Sequence, residues 1–87
     1  MQDETKILYR ILGELLKKER LDKGAGFNMF CYENDIPKTT YNEIVKGKNK
    51  ASFYNIFKII RALGLSFEDF VRKLDSALPP EIWELDD

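Results

Sequence analysis

The segment IPKTTYNEIVKGK, Ile36 to Lys48, carries a proline where a helix can begin and a glycine where one can end. Proline has a pre-set φ, and its missing N–H would have no partner in a first helical turn anyway. Glycine readily takes the left-handed angles of a helix C-terminus. Between them Tyr41, Ile44 and Val45 fall on one face, and Lys38, Thr39, Asn42, Glu43 and Lys46 fall on the other. The spacing predicts a helix from Pro37 to about Lys46. One side of it packs, and the other presents small polar and cationic groups. Upstream, Asn34-Asp35 is a turn signal, since both side chains tolerate left-handed backbone and bond locally to the main chain. Before that turn, the apolar run from Phe27 to Glu33 fits helix or strand on periodicity alone, and we take it as a helix. Helix, short turn, helix with an exposed polar face is the arrangement that inserts a reading helix into the major groove of DNA.

Working outward, Ile7, Leu8, Ile11, Leu12, Leu15 and Leu16 recur at helical spacing and predict a first helix from about Thr5 to Lys23, closed by Gly24-Ala25-Gly26. Downstream, Ser52 stands as an N-cap before Phe53, Ile56, Phe57, Ile59, Ile60 and Leu63, a fourth helix that ends at Gly64. Ser66-Phe67-Glu68-Asp69 has the form of a capping box and opens a fifth, through Phe70, Val71, Leu74 and Leu78, until Pro79-Pro80 stops it. The expected fold is all-α, a compact five-helix bundle over residues 1–78 followed by an acidic tail, 79–87. Phe30, Tyr41, Phe53, Phe57, Phe67 and Phe70 sit at core spacings.

Composition removes several function classes. Eighty-seven residues leave room for one domain, and 44% hydrophobic content is enough for one core. Histidine is absent and Cys31 is the single cysteine. That removes the commonest general base and the Cys/His zinc sites, so neither catalysis, a metal nor a cofactor is expected. Cys31 reads as a buried packing residue. The acids Glu68 and Asp69 sit where first-turn acids meet the helix dipole, which is a structural role. The lone thiol and the polar opening Met1-Gln2-Asp3-Glu4 suggest a reducing, cytoplasmic setting. No apolar stretch approaches the roughly 20 residues of a membrane-spanning helix, so no membrane partner is expected.

Net charge is −1, yet it divides unevenly. From Ile36 to Arg61 six cations, Lys38, Lys46, Lys48, Lys50, Lys58 and Arg61, face Glu43 alone, a local balance of +5. From Asp75 to Asp87 there are five acids and no cation, a balance of −5. A basic face beside an acidic end is the asymmetry of a phosphate-binding surface.

With these elements in place, the chain resembles the Cro and cI repressor, or Xre-type, helix-turn-helix family. LGELLKKERLDKG (12 to 24) is similar to that family's first helix, IPKTTYNEIVKGK (36 to 48) to its reading helix, and KIIRALGLSFEDF (58 to 70) to its fourth-helix ending. The three line up without a gap over residues 8 to 72. The resemblance implies a lambda-repressor-like DNA-binding fold and double-stranded DNA as partner. In it, positions matching Lys38, Thr39 and Glu43 reach base edges. Those matching Thr40 and Asn42 contact phosphate or flanking bases, and the loop at Lys46 and Lys48, with Lys50 beyond it, grips the backbone. Lysine can donate to guanine O6 and N7, threonine can meet a thymine methyl, and glutamate can accept from cytosine N4.

Three positions depart from the family pattern. Phe27 stands where a phosphate-contacting glutamine opens the second helix, so that contact is lost. Asp35 replaces the turn glycine. Val45 replaces a glutamate that pairs with the first-helix arginine, leaving Arg20 to Glu43 or to solvent. A domain of this size covers little more than one half-site, and two-fold pairing on half-sites about 34 Å apart is the usual remedy. A homodimer is therefore expected, with Leu78, Ile82, Trp83 and Leu85 as its seam, acting as a transcriptional repressor. The rival reading is a helix-turn-helix scaffold that binds protein instead, in the manner of an anti-repressor or antitoxin partner.

Overall fold

The computed structural model describes residues 4–48, 51–80 and 82. Five helices follow one another, α1 (Glu4–Asp22), α2 (Phe27–Glu33), α3 (Lys38–Val45), α4 (Phe53–Ala62) and α5 (Phe67–Ala77), and no strand occurs among the described residues. Two of the helices open on a serine cap. The Ser52 hydroxyl accepts from the Asn55 N–H at 3.1 Å, and the Ser66 hydroxyl accepts from the Asp69 N–H at 3.0 Å, satisfying orphan donors of α4 and α5. Pro37 is the N-cap of α3 and Lys46 its C-cap, so both expected end residues flank the helix by one position. α1 and α5 likewise end one residue earlier than their apolar patterns suggest.

The turn between α2 and α3 depends on Asp35, whose φ of 55° lies in the left-handed region. Asp35 thus takes the backbone that a glycine would take more freely. The chain then re-enters the core at Ile36, which is buried.

Leu12 and Leu16 of α1, Phe30 and Cys31 of α2, Tyr41 and Ile44 of α3, Ile59 and Ile60 of α4 and Phe70 of α5 close into one cluster. α3 is seated chiefly on α1, and Gly13 is what allows it. A Cβ at Gly13 would lie 2.5 Å from the Ile44 carbonyl oxygen and 2.6 Å from that of Val45. The backbones of the two helices therefore touch where a side chain would hold them apart.

The expectation that all six large aromatics are core residues is corrected at α4. Phe30, Tyr41 and Phe70 are buried, Phe57 and Phe67 are half-buried, and Phe53 is 68% exposed. Phe53 leans on Phe57 and Phe67, at centroid distances of 6.4 and 5.5 Å, as the outer edge of an aromatic ridge. Neighbouring Tyr54 is equally exposed.

Candidate nucleic-acid interface

α3 is held in place from its inner face. Tyr41, buried, receives a hydrogen bond from Arg20 Nε of α1 at 2.7 Å, and Arg20 Nη1 donates to the Ala25 carbonyl at 2.7 Å. The guanidinium lies 5.7 Å from the Tyr41 ring centre and 6.0 Å from that of Phe27. This overturns the expectation that Arg20 turns to Glu43 or to solvent. With Val45 in place of a carboxylate, a phenol hydroxyl, a main-chain carbonyl and two ring faces take over, and Arg20 is only 7% exposed. Burial raises the Tyr41 phenol above its ordinary range, an effect the Arg20 hydrogen bond opposes.

The outer face of α3 borders an open groove of about 440 Å³. Lys38, Thr39, Asn42 and Glu43 of α3 line it, together with Lys46 and Lys48 just beyond. These are six of the positions singled out from the sequence, four brought to one surface by the i, i+1, i+4, i+5 spacing of the helix and two by the turn that follows it. Thr40 stands apart. It is half-buried on the α4 side, bordering a smaller cavity with Ala51 and Asn55. Lys50 lies outside the described residues, as do Trp83 and Leu85. Leu78 and Ile82 are half-buried, and the Ile82 N–H donates to the Pro79 carbonyl at 3.1 Å.

Among the described cations some are paired and others, Lys6, Lys17 and Lys23 away from the groove included, form no ion pair with any described residue. Arg10, Lys18, Arg72 and Lys73 are each bridged to a carboxylate, of Glu14, Asp22, Glu68 and Glu19 respectively. Lys38, Lys46 and Lys48 are exposed and form no ion pair with any described residue. They stand ready for an anion without a bridge to break. The other two described cations of the +5 segment are employed locally. Lys58 Nζ donates to the Asp35 carbonyl at 2.6 Å, pinning the turn, and Arg61 lies 5.8 Å from the Phe57 ring centre.

Two groove residues were not anticipated, Phe27 and Asn28 at the start of α2. Sequence reasoning treated Phe27 as a missing contact, because residue type alone does not reveal that its ring opens onto the same space as α3. Cys31 is buried, and burial pushes its thiol up, against a smaller downward pull from Arg20 and Lys38.

An exposed polar helix, braced from below and joined through a tight turn to a shorter helix, defines a helix-turn-helix domain. Among solved structures the chain is similar to a point mutant of the restriction-modification controller protein C.Esp1396I, with a TM-score of 0.71 and 23% identity over 91% of this chain and 95% of the other. That likeness establishes the five-helix fold. Compared by sequence, the chain matches no protein-family model and no curated protein. No described helix is long and apolar enough to cross a membrane.

Proposed function

We propose that this chain is a sequence-specific, double-stranded DNA-binding regulator of transcription, a cytoplasmic repressor that works as a homodimer with α3 in the major groove. One observation carries the reading: three unbridged lysines, Lys38, Lys46 and Lys48, share a single open groove with Thr39, Asn42 and Glu43. Cations for phosphate and hydrogen-bonding side chains for base edges are the two parts such a surface requires. The fold shared with a restriction-modification controller agrees with a regulatory role. With a radius of gyration of 13.2 Å, one copy reaches one half-site, so pairing follows, and the α5 end with Leu78, Ile82, Trp83 and Leu85 is the proposed seam.

A second reading, a scaffold that binds protein, is favoured by the exposed Phe53 and Tyr54 on α4. One experiment separates the two. Selection from a random duplex pool should enrich a defined sequence, and Lys38→Glu combined with Lys48→Glu should abolish its binding while leaving the circular dichroism spectrum intact. A protein-binding scaffold enriches no sequence, and the lysine changes leave its partner complex unaffected.

A further inference from the structure

Phe27 stands out in the groove by its chemistry, since every other side chain lining it carries a hydroxyl, amide, carboxylate or ammonium group. The ring is half-buried, packed against the core on one side, and its remaining open surface gains nothing from water and little from phosphate. It is also held in place. Tyr41 meets it edge-on at a centroid distance of 5.4 Å, and the Arg20 guanidinium sits 6.0 Å from its centre. A ring fixed in this way loses little side-chain freedom on meeting a ligand. It lines the same groove as Lys38 and Thr39, the first residues of α3, and the N-terminal residues of a reading helix are the ones that touch base edges. In the major groove only one base presents an apolar group, the 5-methyl of thymine.

Resting on the DNA-binding reading above, we propose that Phe27 is a specificity-determining residue that selects thymine through its 5-methyl group. The aromatic ring supplies an apolar wall beside the polar readers of α3, and a thymine in each half-site places its methyl against that wall. The position thereby contributes base recognition in place of the phosphate contact a glutamine would make.

The test uses the full chain and the duplex enriched by selection. Each thymine is replaced in turn by deoxyuridine, which deletes only the methyl group. One thymine per half-site should prove sensitive, with a loss of about three- to five-fold, the scale of one buried methyl. Phe27→Ala should remove that discrimination while keeping the salt dependence of binding. With the unaltered protein, 5-iododeoxyuridine at the same position should photocrosslink to the peptide containing Phe27, a readout that stands even if the alanine variant folds poorly. The proposal is overturned if the duplex binds specifically but no thymine is sensitive. It is equally overturned if the sensitivity survives Phe27→Ala, or if the crosslink maps to α3 instead. Failure to enrich any duplex overturns the DNA-binding reading itself, and is recognisable because no specific complex forms to be tested.

Discussion

Arg20 on α1 donates through Nε to the hydroxyl of Tyr41 on α3 at 2.7 Å, within the protein interior. The bond joins the long first helix to the inner face of the helix that carries the polar groove. Its partners are unequal: one is a permanent cation and the other a neutral phenol. Their contact therefore depends on geometry and desolvation more than on charge pairing.

Removing the acceptor should be costly. Tyr41→Phe keeps the ring but leaves a buried guanidinium N–H without a partner, a penalty of about 1.5 to 3 kcal/mol. Urea unfolding should show a lowered midpoint with an unchanged slope. An unaltered midpoint would mean that the hydrogen bond contributes nothing net.

Gly13 is the second brace. Gly13→Ala sets a methyl group 2.5 Å from the Ile44 carbonyl oxygen, so α3 must shift away from α1. Overpacking of this kind costs about 1 to 3 kcal/mol, and in a domain of this size each kcal/mol lowers Tm by about 4 to 8 °C. Calorimetry should show that drop. Because the shift moves the groove, DNA affinity should fall further than the same loss of stability would cause at a distant site, for instance in Leu74→Ala on α5.

Alkaline pH should destabilise the fold through two groups. Burial raises both the Cys31 thiol, from an ordinary 9.0, and the Tyr41 phenol, from an ordinary 10.0. The unfolded chain releases these protons at lower pH than the folded one does. The associated stability is therefore complete below pH 9 and declines as pH rises through 9 and then 10. Urea midpoints at pH 7, 9 and 10.5 should fall in that order, and Cys31→Ala should flatten the earlier part of the decline. A constant midpoint would contradict the burial of both groups. At pH 7 the same burial should make Cys31 slow to react with thiol reagents until urea unfolds the chain.

Much of the fold was legible because its signals are local. Ser52 and Ser66 cap the helices they precede, and Asp35 adopts the left-handed turn, as side chains bonding within a few residues can be expected to do. What escaped depends on partners distant in sequence. Arg20 was expected at Glu43 or solvent, because nothing within one helix reports that Tyr41, 21 residues on, brings its hydroxyl to the guanidinium. Phe53 has the spacing of a core residue, yet it stands exposed at the edge of the Phe57 and Phe67 rings. The groove lysines were legible as a cluster because they lie within eleven residues, Lys38 opening α3 and Lys46 and Lys48 just past its end. Lys58 looked equivalent in the sequence, but it is tied to the Asp35 carbonyl, a contact 23 residues apart.

The central claim is that unbridged lysines around α3 bind DNA phosphates. Its most direct test is the affinity for the selected duplex across a salt series. With about three to five phosphate contacts per subunit, log K against log salt should fall with a slope of about −3 to −4.5 per subunit, reduced by about 1 for Lys48→Gln. A slope near zero, unchanged by the substitution, would contradict it.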